Sequence, residues 1–143
     1  MNRNKTAFTL VEILIVVTIL VILAAIVVPH FTNAAEDSKL SNLMSNLQSI
    51  RAQLELYKMH HRENFFGSKY PTNINTQLTG KTDADGTVNA AGAYGPYLHI
   101  FPANPFVDDP AEAVKTSGAA GEGWSYDAAT GVIVPNTAGH AGL

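Results

Sequence analysis

The chain has 143 residues, of which 46% are hydrophobic, with a formal net charge of −3 at pH 7 and no cysteine. This length allows one modest domain with an appendage, and the acidic balance argues against nucleic-acid binding, which usually needs a basic face. The lack of cysteine excludes disulfide bonds, thiolate nucleophiles and cysteine metal sites.

The most apolar part of the chain extends from Phe8 to Val28, where only Thr9, Glu12 and Thr18 are not apolar. A helix of about 20 such residues is long enough to cross the hydrocarbon layer of a membrane. Basic residues precede the run and acidic residues follow it, so the N-terminus should stay in the cytoplasm and the C-terminal body should lie outside.

Three interpretations of this run differ in how they explain Glu12. A cleaved secretory signal would use the small-residue patch Thr32–Ala35, but the apolar stretch is long for such a signal. A simple membrane anchor explains the length, although a charge costs about 2.5–3.5 kcal/mol at the centre of a membrane helix and less near its end. In the third interpretation a cut between Ala7 and Phe8 creates an α-amine one helical turn before Glu12. That amine could pair with the carboxylate within one chain, or between neighbouring chains, where the pair would also fix their axial offset.

The segment AFTLVEILIVVTILVILAAIVVP resembles the N-terminus of type IV pilins and type II secretion pseudopilins. The family pattern combines a short basic leader, a cut before Phe-Thr-Leu-x-Glu, a long apolar run and a proline near the helix exit. The matching residues are Phe8, Thr9, Leu10, Glu12 and Pro29. The family usually has Gly before the cut, where this chain has Ala7.

The resemblance implies that a prepilin peptidase cleaves after Ala7 and methylates the amine of Phe8, and that Glu12 meets the Phe8 amine of an adjacent subunit. It also implies a single-pass inner-membrane protein with a cytoplasmic N-terminus and a periplasmic C-terminal domain, which later enters a periplasmic or surface filament. The implied partners are further copies of this chain, related minor pseudopilins and an inner-membrane assembly platform. No nucleic-acid partner is expected.

A second helical pattern follows the apolar run. Apolar residues recur at intervals of three and four, ending in one histidine: Leu40, Leu43, Leu47, Ile50, Leu54, Tyr57 and His61. This pattern predicts one buried face of a helix from about Phe8 to Arg62, bent at Pro29. An isolated coiled coil would explain it equally well, but the Gly- and Pro-rich body that follows favours a spine against which a small sheet packs. The adjacent His60 and His61 point in different directions and should not share a metal ion.

The C-terminal body should contain short strands and long loops. Tyr97–Phe101 and the two halves of Trp124–Val134 predict a three-stranded antiparallel sheet. The side chains expected to face the spine are Leu98, Ile100, Trp124, Tyr126 and Ile133. The predicted fold is therefore α+β and pilin-like, with a long N-terminal helix packed against a small antiparallel sheet. Its predicted parts are a leader (1–7), a transmembrane assembly helix (8–29), an amphipathic spine helix (30–64) and a small globular domain (65–143).

The layout GPYL…FPANPF…GWSYDAATGVIVPN resembles the C-terminal part of G-type major pseudopilins. That family has a calcium site in the loop near the last strands, which makes Asp108, Asp109 and Asp127 candidate Ca²⁺ ligands here. The chain has only one acidic residue after Trp124, however, and no other cofactor is expected. Asp83–Gly86 supplies only half of a calcium loop and is predicted to be a solvated turn.

No HExxH, P-loop, nucleophile elbow or glycine fingerprint occurs in the chain, so no enzymatic activity is expected. The predicted function is a structural subunit that polymerises through its N-terminal helix into the pseudopilus of a type II secretion system. One alternative is a type IV pilus subunit for adhesion, motility or DNA uptake. Another is a single-pass anchored domain that does not polymerise. The lack of cysteine favours the first, because many pilins close a C-terminal loop with a disulfide bond.

Overall fold

The computed structural model describes residues 8–61 and 70–143, without the side chains of residues 28–33. The elements in chain order are helices α1 (Leu10–His60), α2 (Ile74–Thr79) and α3 (Pro110–Ala113), followed by strands β1 (Trp124–Asp127) and β2 (Val132–Pro135). This combination of a long N-terminal helix and a small antiparallel sheet confirms the predicted α+β class. The structure divides after Ser38 into two compact units, and α1 contributes residues to both.

The first unit contains the apolar part of α1. The predicted helix is confirmed over its observed bounds, Leu10–His60, whereas the predicted end at Arg62 lies outside the described residues. Pro29 lies within α1, but in the stretch whose side chains are not described, so the bend at this position stays a prediction. All side chains from Leu10 to Val27 are exposed in the isolated chain.

The second unit is built on the helical pattern that follows the apolar run. Because intervals of three and four residues place side chains on one face of a helix, that face of α1 can be buried as a whole. The buried residues of the pattern are Leu43, Leu47, Ile50, Leu54 and Tyr57 in α1, and His61, which directly follows α1. Ile74 and Leu78 of α2, together with Trp124 and Ile133 of the sheet, complete the same core. Since burying one such apolar side chain contributes about 1.5–3 kcal/mol, this face is a principal source of the unit's stability.

The last residue of the pattern, and its only polar side chain, is the buried His61. The ring of His61 stacks on that of Tyr57 at a centroid distance of 3.9 Å. Its Nδ1 lies 2.8 Å from the Tyr57 carbonyl oxygen and its Nε2 lies 3.1 Å from the Thr82 hydroxyl. The neighbouring His60 is exposed, with its Nδ1 3.1 Å from the Tyr97 hydroxyl. The two histidines therefore bind different groups, as expected from their adjacent positions.

The sheet is a hairpin in which β1 and β2 pair antiparallel, with Tyr126 opposite Ile133. The turn between the strands requires glycine at position 131. Gly131 has φ of +74°, and a Cβ atom added there would lie 2.2 Å from the ring of Tyr70. Trp124 and Ile133 face the core as predicted, and Tyr126 is packed against it.

The predicted strand Tyr97–Phe101 is wrong. The amides of Tyr97 and Leu98 both donate to the Leu78 carbonyl oxygen, at 2.9 and 2.8 Å, whereas successive amides of a strand point in opposite directions. Ile100, which was expected to face the spine, is 73% exposed. Leu98 packs against the core, as expected, and Phe101 is buried within it.

A different segment lies beside β1 where a third strand was expected. Ser117 forms an antiparallel bridge to Ser125, flanked by hydrogen bonds from Tyr126 N to Thr116 O and from Gly118 N to Trp124 O. These bonds place residues 116–118, in the long loop between Phe101 and Trp124, along the edge of β1 that β2 leaves open.

Candidate assembly site

The first turn of α1 is closed by a reciprocal pair of hydrogen bonds between Thr9 and Glu12. The Glu12 amide donates to the Thr9 hydroxyl at 3.2 Å. In return, the Thr9 amide and hydroxyl both donate to Oε2 of Glu12 at 3.0 Å. This is a capping box, which satisfies amides that a helix N-terminus otherwise leaves without partners.

The capping box gives Glu12 a role within its own chain that the sequence analysis did not identify. The Thr-x-x-Glu spacing before an apolar run is a recognised signal for this arrangement, so it could have been found. Oε1 of Glu12 accepts no hydrogen bond from the residues that the structure describes. Phe8 directly precedes the cap and is 80% exposed, while Ala7, on the other side of the expected cut, lies outside the described residues.

The helix that follows the cap is long and apolar enough to cross a membrane. The span Leu10–Val27 has a mean hydropathy of 3.2, and none of it is buried by the rest of the chain. The hydroxyl of Thr18 donates to the Leu14 carbonyl oxygen at 2.7 Å, so this polar group is satisfied inside its own helix. A surface of this kind needs lipid or other apolar helices around it, because an exposed apolar area of this size is unfavourable in water.

Two of the three aspartates considered as calcium ligands, Asp109 and Asp127, perform separate local tasks. Oδ1 of Asp109 accepts from the Ala111 amide at 2.8 Å and caps α3. Asp127 accepts from the Ala129 amide at 2.9 Å through Oδ1 and from the Thr130 hydroxyl at 2.7 Å through Oδ2. The hydrogen bond from the Thr130 hydroxyl, and to a lesser extent the one from the Ala129 amide, lowers the pKa of Asp127.

These aspartates are not gathered into a site with other acidic side chains. Asp108 is exposed on the loop before α3. Among residues 8–61 and 70–143, no three His, Asp or Glu side chains lie close enough together to hold a metal ion. Asp83 and Asp85 likewise serve their own turn, accepting from the Asn89 side chain and the Thr87 amide respectively.

Another carboxylate in the long loop is more deeply placed than any of these. Glu122 is only 8% exposed, and its Oε2 accepts from the Ser117 hydroxyl at 2.5 Å and the Ala119 amide at 3.2 Å. The bond from Ser117 is the main reason why the pKa of Glu122 is lowered. No sequence motif indicates these hydrogen bonds of Glu122, because they depend on how the loop folds beside β1.

Comparison with known proteins agrees with the N-terminal architecture. Residues 2–28 match the family described as "Prokaryotic N-terminal methylation motif". The chain is 35% identical over 72 residues to the "Type II secretion system core protein G" of Dickeya chrysanthemi. That match covers 50% of this chain and 43% of the Dickeya protein, so it spans less than half of that relative.

Two further relatives match over greater lengths. The protein of the same name from Escherichia coli strain K12 is 30% identical over 110 residues, covering 74% of this chain and 70% of that protein. The "Type IV major pilin protein PilA" of Myxococcus xanthus strain DK1622 is 32% identical over 141 residues, covering 84% and 63% respectively. No solved structure matches the chain. The Escherichia coli match extends far beyond the methylation motif, and the chain therefore belongs to the family of the type II secretion system core protein G, among the type IV pilin-like proteins.

Proposed function

We propose that this chain is a structural, non-catalytic subunit that polymerises through α1 into the pseudopilus of a type II secretion system. The observation that carries the proposal is the span Leu10–Val27, which is wholly exposed and begins with a carboxylate held at its first turn. An anchor alone accounts for the exposed span. The carboxylate at Glu12 has a further use if the helix leaves the lipid for a bundle of identical helices.

In the proposed sequence of events, the chain first lies in the inner membrane with its N-terminus in the cytoplasm. A prepilin peptidase cuts between Ala7 and Phe8 and methylates the new amine. An assembly platform in the inner membrane then adds the subunit to the filament, together with related minor pseudopilins. Identical subunits added head to tail form a helical array that does not close, and the product is therefore a filament.

Charge pairing gives this assembly its direction. Lipid and neighbouring helices offer similar apolar surroundings, so moving the span from one to the other changes the hydrophobic energy little. The amine of Phe8 and the carboxylate of Glu12 are both costly in an apolar environment. Pairing them between neighbouring subunits reduces that cost. We assign the incoming amine to Oε1 of Glu12, which accepts no hydrogen bond from the described residues.

A type IV pilus subunit for adhesion, motility or DNA uptake is the second candidate. It is favoured by the similarity to the Myxococcus xanthus major pilin, which extends over 84% of this chain. A membrane-anchored domain that does not polymerise is the third candidate. This third candidate predicts that substitutions at Glu12 change neither the membrane insertion of the protein nor its oligomeric state.

The proposal is tested with Glu12→Ala and the matched control Thr18→Ala in cells that produce the filament. We expect the Glu12 variant to insert and be cleaved normally, yet to form no filaments or irregular ones. The control removes a hydroxyl that is bonded only to its own helix, so its filaments should be normal. Normal filaments from Glu12→Ala would contradict the pairing.

The mature N-terminus decides between the remaining interpretations. Mass spectrometry should find a chain that begins with N-methylated Phe8. A chain that begins near Ala35 would instead identify a cleaved secretory signal, and an uncleaved chain in wild-type cells would leave only the anchored domain.

A further inference from the structure

We propose that the long loop between Phe101 and Trp124 is held in place by this chain's own polar side chains and requires no calcium ion. This departs from the calcium site that the resemblance to G-type pseudopilins implies. It concerns the folding of the second compact unit, and it stands or falls independently of whether the chain polymerises.

The available carboxylates do not suit a calcium ion. Calcium takes six to eight oxygen ligands at about 2.3–2.6 Å, several of them from carboxylates that converge on one point. Both oxygens of Asp127 are already bonded within its own turn, and Asp109 caps α3. In the described residues of the loop and its surroundings, no three acidic or histidine side chains lie close enough together to hold a metal ion. Binding calcium would therefore require these local bonds to be broken first.

The start of the loop instead carries a buried side-chain amide. Asn104 is 1% exposed. Its Nδ2 donates to the Gly123 carbonyl oxygen at 2.7 Å, and its Oδ1 accepts from the Phe106 amide at 3.0 Å. The backbone N–H of Asn104 also donates to the Ala113 carbonyl oxygen at 2.9 Å. One residue thus connects the start of the loop to α3 and to the end of the loop.

The contact between α3 and the end of the loop is also sterically close. A Cβ atom added to Gly123 would lie 2.0 Å from the Ala113 carbonyl oxygen. The Gly123 amide donates to the Glu112 carbonyl oxygen at 2.9 Å. These backbone contacts leave no gap between α3 and the residue before β1, so the two segments are joined directly.

Residues beyond the sheet secure the other side of the loop. Asn136 follows β2, and its Nδ2 donates to the Ala119 carbonyl oxygen at 2.6 Å. The Ala119 amide in turn donates to Oε2 of Glu122. Asn104 and Asn136 are both amides, which hydrogen-bond without charge and do not depend on a cation. The loop is therefore held at its start and near its end by groups that remain bonded when free calcium is removed.

The first test compares the thermal unfolding of the purified full chain in detergent under two conditions, with a chelator and with about 10 mM calcium. This calcium concentration exceeds the ~10⁻⁴–10⁻³ M dissociation constants of extracellular calcium modules. A site of dissociation constant about 10⁻⁴ M would raise Tm by on the order of 10 °C under these conditions. We expect no change in Tm. A calcium-dependent rise of several degrees overturns the inference, and its loss in a variant with Asp108→Asn, Asp109→Asn and Asp127→Asn would locate the site.

The second test measures opening of the loop with a lysine-specific protease that needs no calcium. The side chain of Lys115 is 50% exposed, but its carbonyl oxygen is bonded to the Trp124 amide, so cleavage there requires the loop to open locally. We expect Asn136→Ala to raise the cleavage rate at Lys115 by roughly 3- to 10-fold, equally with calcium and with chelator. Asn104→Ala should have a larger effect, and Asn136→Ala keeps the test decisive if that variant does not fold.

Asn89→Ala is the matched control, because the Asn89 amide group serves the turn at Asp83 and not the long loop. It should leave the cleavage rate at Lys115 unchanged. Two results would overturn the inference: a rate at Lys115 that falls when calcium is added to the wild-type chain, or an Asn136→Ala variant that is cleaved at the wild-type rate.

Discussion

Alanine substitutions at two glycines separate backbone strain from a steric clash in the second compact unit. Gly121 and Gly131 both have positive φ, +89° and +74°. A Cβ atom at Gly121 would meet nothing within 4 Å, whereas one at Gly131 would lie 2.2 to 2.6 Å from three atoms of the Tyr70 ring. The two variants therefore share the strain and differ in the clash.

The magnitudes follow from these two contributions. The left-handed conformation costs an alanine about 1–2 kcal/mol, offset by about 0.4–1 kcal/mol because the unfolded chain becomes less flexible. Gly121→Ala should therefore reduce the free energy of unfolding by about 1 kcal/mol. Gly131→Ala carries an additional overpacking cost of about 1–3 kcal/mol, so its Tm should be lower than that of Gly121→Ala by at least about 4–8 °C.

Thermal unfolding followed by tryptophan fluorescence suits this comparison. Trp124 is the only tryptophan in the chain and is fully buried in this unit, so its emission reports on the loss of this core. Equal Tm values for Gly121→Ala and Gly131→Ala would refute the reasoning, because they would mean that the Tyr70 ring moves away from the new methyl group without cost.

Two further predictions concern the same unit. Leu47→Ala removes a side chain from the core and should lower the free energy of unfolding by about 2–5 kcal/mol. Met44→Ala, at a half-exposed position one turn away, should lower it by less than half as much. Chemical denaturation measures both values, and similar losses would contradict the assigned helix face. The pKa of Glu122 is lowered in the folded state, so its contribution to stability is fully present above its unfolded pKa and is lost as the pH falls through the folded value. Lowering the pH from about 6 to about 3 should therefore reduce Tm less in Glu122→Gln than in the wild-type chain, and equal slopes would mean that the carboxylate contributes nothing.

The helical half of this protein follows from its sequence because its signals are local. A long run of almost entirely apolar residues predicts the exposed span, and intervals of three and four residues predict which face of α1 is buried. Leu43 and Leu54 could be assigned to the core without knowing what covers them. The capping box of Thr9 and Glu12 is equally local, but the predicted partner of Glu12 was the Phe8 amine of the same or a neighbouring chain, and Thr9 was not considered.

The loops of the C-terminal body follow much less well, because their conformation depends on distant partners. Tyr97–Phe101 has the composition of a strand, but its first two backbone amides donate hydrogen bonds to the Leu78 carbonyl oxygen near the end of α2. Ile100 alternates correctly and is nevertheless exposed, since alternation has no meaning outside a strand. Asn104 bonds to Gly123, 19 residues away, and nothing in the sequence between them indicates that pair.

The hydrogen bonds between Thr9 and Glu12 have an energetic consequence for the proposed assembly. A carboxylate that already accepts two bonds in the single subunit does not start from an unsatisfied state. The stabilisation gained on meeting a neighbour's amine is therefore the difference between two bonded states, and it is smaller than the full strength of an ion pair in lipid. A small gain at each step favours an interaction that can be undone. The capping box would thus help to keep subunits exchangeable between membrane and filament, so that the filament could shorten as well as grow.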